Sequence, residues 1–151
     1  MKKTFSIISI FTVLTFSFLN INSCSNRDDT VSCFPNSTIN VILPLNSMPL
    51  QNSNLQNQQW TYIDMDGAGT RGLIIFKVSN NGYAAYDRNA PHICPDNNTT
   101  LTVDFPKVIC PKDNAKWFIT TGEPIEVSSL PLKRYFCNFD QSTNTITVYN
   151  N

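Results

Sequence analysis

From Ser37 to the end of the chain, apolar residues come only in short runs, each closed by Asn, Gly, Pro or Asp. No stretch sustains the three-to-four-residue spacing of an amphipathic helix, so a helical bundle is excluded as the main architecture. "STINVILPL" alternates apolar residues at Ile39, Val41 and Leu43, the period of a half-buried strand. "WTYID" reads as a second strand. "LIIFKV" and "GYAAYD", separated by Ser79, Asn80 and Asn81, read as a hairpin. "TLTVDF" and "KVIC" lie on either side of Pro106. "AKWFIT" is followed by a "TGEP" turn, and "LKRYFCNF" and "NTITVYN" flank "DQST" as a final hairpin. Eight or nine short strands at this spacing predict an all-β fold, a small antiparallel barrel or sandwich. "NSMPLQNSNLQNQQ" is polar and contains proline, and is expected to be a loop. "GAGTRG" lacks the Lys-Ser/Thr ending of a phosphate loop and no helix follows it, so it reads as a turn.

The composition agrees with strands and polar turns: aromatic residues make up 11% of the chain and the formal net charge is zero. No basic run or patch is present, which argues against a nucleic-acid partner.

The start of the chain concerns address rather than fold. "MKKTFSIISIFTVLTFSFLNINSC" has Lys2 and Lys3, an apolar run from Phe5 to Leu19, and small or polar residues before Cys24. That is the layout of a secretory signal, and the apolar run is short for a membrane span. "INSC" resembles the lipobox of bacterial lipoproteins, with Ile21, Ser23 and Cys24 on pattern and Asn22 off it. The resemblance implies a signal peptide over 1–23, lipidation at Cys24, a tether over 24–32 and a β-domain over 33–151. Ser25 after the cysteine is not the retention residue, and "SNRDDT" looks like the acidic surface-export signal of Bacteroidota lipoproteins. The expected location is therefore the outer membrane, facing the periplasm or the outside.

Four cysteines remain after Cys24: Cys33, Cys94, Cys110 and Cys137. An exported chain meets oxidising conditions, so pairing is expected, and four cysteines allow three connectivities.

"AYDRNAPHICP", then "CPKDNAKWFITTGEP", then "PLKRY" stand in the order of landmarks of the Rieske iron–sulfur domain, and the chain resembles that family from about Leu73 to Tyr149. A Rieske centre holds one iron with two Cys thiolates and the other with two His imidazoles. The resemblance places these ligands at Ala90 and His92 on one loop and at Cys110 and Asp113 on the other. Two of the four are lost: alanine has no donor, and a carboxylate is a hard donor poorly suited to this cluster. The serine that usually supports the cluster corresponds to Ala115, the glycine before it to Asn114, and the covering Gly-Pro turn to Glu126-Val127. The expectation is a domain without cofactor or metal. Its side-by-side loops imply a Cys94–Cys110 disulfide in place of the cluster, leaving Cys33 to pair with Cys137. A single metal such as zinc on His92, Cys94, Cys110 and Asp113 is a rival arrangement with an unfamiliar spacing.

His92 reads as a surface or hydrogen-bonded histidine. Trp60, Trp117 and Phe118 read as core, and Asp87 and Arg88 as a turn or structural ion pair. With one histidine and no nucleophile–base pattern, the chain reads as a non-enzyme. It is expected to be a binding or structural module with an unknown envelope protein or ligand as partner. Electron transfer through an atypical [2Fe–2S] or other metal site is the alternative.

Overall fold

The computed structural model describes residues 29–150, so the expected signal peptide and Cys24 lie outside the described residues. Ten strands form two antiparallel sheets, which is the small all-β architecture expected. They are β1 (Asn40–Pro44), β2 (Trp60–Ile63), β3 (Leu73–Ser79), β4 (Gly82–Asp87), β5 (Thr102–Asp104), β6 (Lys107–Ile109), β7 (Lys116–Phe118), β8 (Pro124–Glu126), β9 (Arg134–Asp140) and β10 (Thr145–Tyr149). The larger sheet has the order β1-β10-β9-β4-β3-β2, and the smaller β5-β6-β7-β8.

The larger sheet lies between two cores. Side chains alternate across a strand, so Leu73 and Ile75 of β3 enter one core, while Ile74 and Phe76 enter the other. Tyr83 and Ala85 of β4 divide from Ala84 and Tyr86 in the same way. Burial on both faces explains why these strands read as apolar runs. In β1, one face is solvated: Val41 and Leu43 are buried and Ile42 is exposed. The first core joins β1, β3, β4, β9 and β10. The second fills the gap between β3–β4 and the smaller sheet, around Leu101, Val108, Cys110, Trp117 and Leu132.

Two expectations about elements are corrected, and one unexpected strand follows an expected turn. Part of the polar segment expected as a loop is a helix, α1 (Pro49–Asn57). Proline suits its first position, where an N–H would have no helical partner. Leu55 is its one buried residue, so the sequence shows no apolar stripe. It is attached by the Lys77 ammonium, which donates to Gln56 at 2.7 Å. The "TGEP" turn runs directly into β8, an edge strand opening on Pro124, where a missing N–H is harmless. Phe118 is 45% exposed, because its neighbour Trp117 takes the inward face and successive strand residues point oppositely. Trp117 is fully buried, as expected, and Trp60 is half-buried at the edge of the second core. Among the described residues no helix is long and apolar enough to cross a membrane.

Contacts with the domain begin before Cys33. The Val31 N–H donates to the Pro91 carbonyl at 3.0 Å, the Phe34 N–H donates to Val31, and the Phe34 ring is buried. The chain ahead of β1 is thus a strap lying on the loop that follows β4.

Candidate functional site

The two loops expected to carry ligands meet at the end of the smaller sheet. The first, after β4, is shaped by its own polar side chains. The Thr99 hydroxyl donates to Asn89 Oδ1 at 2.6 Å, Asn89 Nδ2 donates to the Ala90 carbonyl at 2.9 Å, and the Ala90 N–H donates to Thr99 at 3.0 Å. The Asp96 side chain accepts from the Asn98 N–H, which closes the loop's outer turn. These local bonds direct the Ala90 methyl into the second core and leave His92 on the facing side.

The second loop turns tightly about Cys110. The Asn114 N–H donates to the Cys110 carbonyl and the Cys110 N–H to the Ala115 carbonyl, both at 2.9 Å. Asn114 has a φ of 60°, a left-handed conformation that asparagine tolerates better than most residues. Backbone N–H groups of Lys112 and Asp113 point at the Cys110 sulfur. Ala115, like Ala90, is fully buried in the second core.

His92 and Asp113 are brought into direct contact. His92 Nε2–H donates to Asp113 Oδ2 at 2.6 Å. The side chains are 14% and 29% exposed. The Ala115 N–H donates to the other carboxylate oxygen at 3.1 Å, and the Cys110 thiol also bonds to the group. Partial burial works to raise the Asp113 pKa, but these hydrogen bonds outweigh it and hold the carboxyl below its ordinary range. His92 Nδ1 is buried without a partner, and its ring lies 5.5 Å from that of Trp117. The Trp117 indole N–H donates to the Leu130 carbonyl at 2.8 Å, which ties β7 to the segment after β8. That segment turns at Val127, whose φ of 70° and Ser128 N–H to Glu126 carbonyl bond at 2.9 Å define a strained three-residue turn.

Burial pushes the Cys110 thiol pKa up, and the neighbouring carboxylate adds to that, against the pull of the two N–H groups. A buried, protonated thiol is a poor nucleophile. The four positions that the resemblance assigns to ligands offer a methyl, an imidazole already bonded to a carboxylate, that carboxylate, and one thiol in an apolar core. They do not fit a cluster that needs two thiolates and two imidazoles. Among the described residues, no group of three or more His, Cys, Asp or Glu side chains is placed to hold a metal ion.

The disulfide expectation is corrected. Cys33 is bonded to Cys94, with Cα atoms 5.5 Å apart, while Cys110 and Cys137 are reduced. Cys110 lies in the second core, whereas Cys94 is on the exposed outer face of its loop, where the strap brings Cys33. Cys137 faces the first core from β9, opposite Val148, and burial raises its pKa to about 12. The sequence holds no signal for this pairing, because the course of the strap ahead of β1 decides it.

Asp87 is also placed differently from the expectation. It is fully buried and accepts from the Tyr135 hydroxyl at 2.7 Å and from the Thr70 and Asn89 N–H groups, both at 2.8 Å. Burial raises its pKa despite those donors. It anchors the "GAGTRG" turn to β4 and β9, and the turn's closeness shows at Gly69, where an added Cβ would lie 2.8 Å from Asp87 Oδ2. Arg88 instead stacks on the Tyr62 ring, its guanidinium carbon 3.8 Å from the centroid, and donates to the Leu101 carbonyl.

No family model matches the chain, and no curated protein matches it in sequence. Some solved structures are similar in backbone. A chain from the complex of reduced oxygenase and oxidised ferredoxin in carbazole 1,9a-dioxygenase has a TM-score of 0.49 at 17% identity, over 75% of this chain and 94% of that one. The ferredoxin of carbazole 1,9a-dioxygenase from Nocardioides aromaticivorans IC177 has a TM-score of 0.40 at 17% identity, over 62% and 86%. A protein provisionally described as the small subunit of an NADPH nitrite reductase has a TM-score of 0.42 at 14% identity, over 72% and 96%.

Proposed function

We propose that the chain is an exported lipoprotein whose Rieske-like β-domain works without an iron–sulfur cluster, as a non-enzymatic binding or structural module of the cell envelope. The observation that carries this reading is the His92–Asp113 hydrogen bond of 2.6 Å. The two positions that would present imidazoles to iron satisfy one another, and the position of one thiolate is the buried methyl of Ala90. The Cys33–Cys94 bond cross-links the first loop to the strap, and Trp117 with Leu130 fastens the other side, so the loops are held without metal. The leader layout and Cys24 support export and lipid anchoring.

Anaerobic iron–sulfur reconstitution of the purified protein tests the reading. Colourless protein with no stoichiometric metal and an unchanged fold in chelator is expected. Visible absorption bands, or unfolding by chelator, would overturn it. For the anchor, Cys24→Ala should move the protein out of the membrane fraction, and continued membrane association would refute lipidation.

The second reading is electron transfer by an atypical [2Fe–2S] or other metal site. What favours it is the pull of the Lys112 and Asp113 N–H groups toward a thiolate at Cys110, against which burial still raises the thiol pKa. The same spectra decide between the two.

A further inference from the structure

Lys133, the residue before β9, is 3% exposed. Its Nζ lies 5.0 Å from the centroid of the Phe34 ring and 5.7 Å from that of Tyr135. Aromatic faces attract a cation but do not replace the oxygen acceptors of an ammonium, which has three donors. Among the described residues, no carboxylate pairs with it and no oxygen accepts from it, whereas Lys77, Lys112 and Lys116 all have such partners. Among the described residues, only these two aromatic faces offset the desolvation of a charge so placed.

Lys133 lines a cavity of about 220 Å³ together with Thr30, Val31, Ser32, Phe34 and Asn36. Lys133 is the one charged residue of this lining. The other polar lining is neutral: the hydroxyls of Thr30 and Ser32 and the amide of Asn36. The wall is built rather than draped, since the Val31–Pro91 and Phe34–Val31 hydrogen bonds and the Cys33–Cys94 disulfide fix the strap that forms it. At ~30 Å³ of liquid volume per water, the space equals about seven waters. It suits a small charged group.

We propose that this cavity binds a compact oxyanion, a carboxylate or a phosphate group, with Lys133 as its counter-charge and the strap hydroxyls and Asn36 as further hydrogen-bonding groups. The site is separate from the His92 loop contact and does not depend on whether that contact ever holds metal.

The test uses the full chain purified in detergent, titrated with inorganic phosphate and with acetate against chloride at matched ionic strength. Thermal midpoint and amide NMR shifts are recorded. A saturable rise in midpoint is expected, with the moving amides falling in residues 30–36. Response to phosphate alone identifies a phosphate ester as the ligand class, response to acetate alone a carboxylate, and response to both a site that reads charge and size. Lys133→Met should weaken the saturable response at least about tenfold, which corresponds to losing one good charge contact. Reduction of Cys33–Cys94 should weaken it too. A response that does not saturate, that is unchanged in Lys133→Met, or that moves amides elsewhere overturns the proposal. If near-UV circular dichroism shows that Lys133→Met has not folded, the wild-type amide map decides alone.

Discussion

The two sheets are held together by different means. The larger uses strands of four to seven residues whose inward side chains interlock, so almost any inward apolar residue of the right size serves. The smaller uses strands of three residues each. Strands so short bury too little to be stable by themselves. It depends instead on Trp117, on the strap disulfide, and on polar bonds that join loop to loop. A metal cluster could cross-link such a layer. Here the region carries covalent, aromatic and hydrogen-bonded contacts: the Cys33–Cys94 bond, the His92–Trp117 ring pair and the Trp117–Leu130 bond.

That contrast can be broken most forcefully at Trp117. Trp117→Ala should cost about 3–5 kcal/mol, from the cavity it leaves and the lost indole hydrogen bond, measured by chemical denaturation. If it costs no more than an exposed substitution, the smaller sheet does not rest on that ring. Next is Cys94→Ser. The closed loop spans a sequence separation of 61 residues, and its loss should cost about 4 kcal/mol in the chain-entropy model. Intact mass without reductant sharpens the same point: the protein should be lighter than its fully reduced form by the two hydrogens of one disulfide.

Asp113→Asn should cost about 1–2 kcal/mol at neutral pH, the range for a charge-assisted hydrogen bond. Its sign with pH is diagnostic. Because the folded Asp113 pKa is depressed, its contribution is complete above the ordinary carboxylate range and is lost as pH falls through the depressed value. The variant's stability should therefore decline less in acid than the wild type's. Asp87 acts oppositely: its pKa is raised, so its contribution improves as pH falls from the raised value toward the ordinary one. Denaturation curves of Asp113→Asn that run parallel to wild type across the acid range would refute the assignment. The smallest effect is expected at Phe118→Ser, within about 0.5 kcal/mol, because the ring is exposed on the outer face of the smaller sheet.

The hairpins could be read in the sequence because period and turn residues agree there: Asn80 and Asn81 link β3 to β4, and the Asp140 carboxylate accepts from Ser142 and Thr143 to close the last turn. The helix could not, because a helix that buries only Leu55 leaves no stripe. Nor could the choice between Trp117 and Phe118, since phase along a strand depends on which side the core lies. That the loops of His92 and Cys110 come together was legible through the family resemblance. That His92 and Asp113 would bond to one another was not, and the disulfide was not, because both depend on where separated segments of chain come to rest.

The two reduced cysteines have a practical consequence. Cys110 is sealed in the second core and Cys137 is packed against the first, so the described residues carry one native chemical clock in each layer. A thiol reacts only when its surroundings open far enough to admit reagent and release its proton. Following the two labelling rates in one sample reports the breathing of each sheet separately, without a single mutation. A faster rate at Cys110 than at Cys137, after correction for their intrinsic reactivities, is what a layer of three-residue strands predicts.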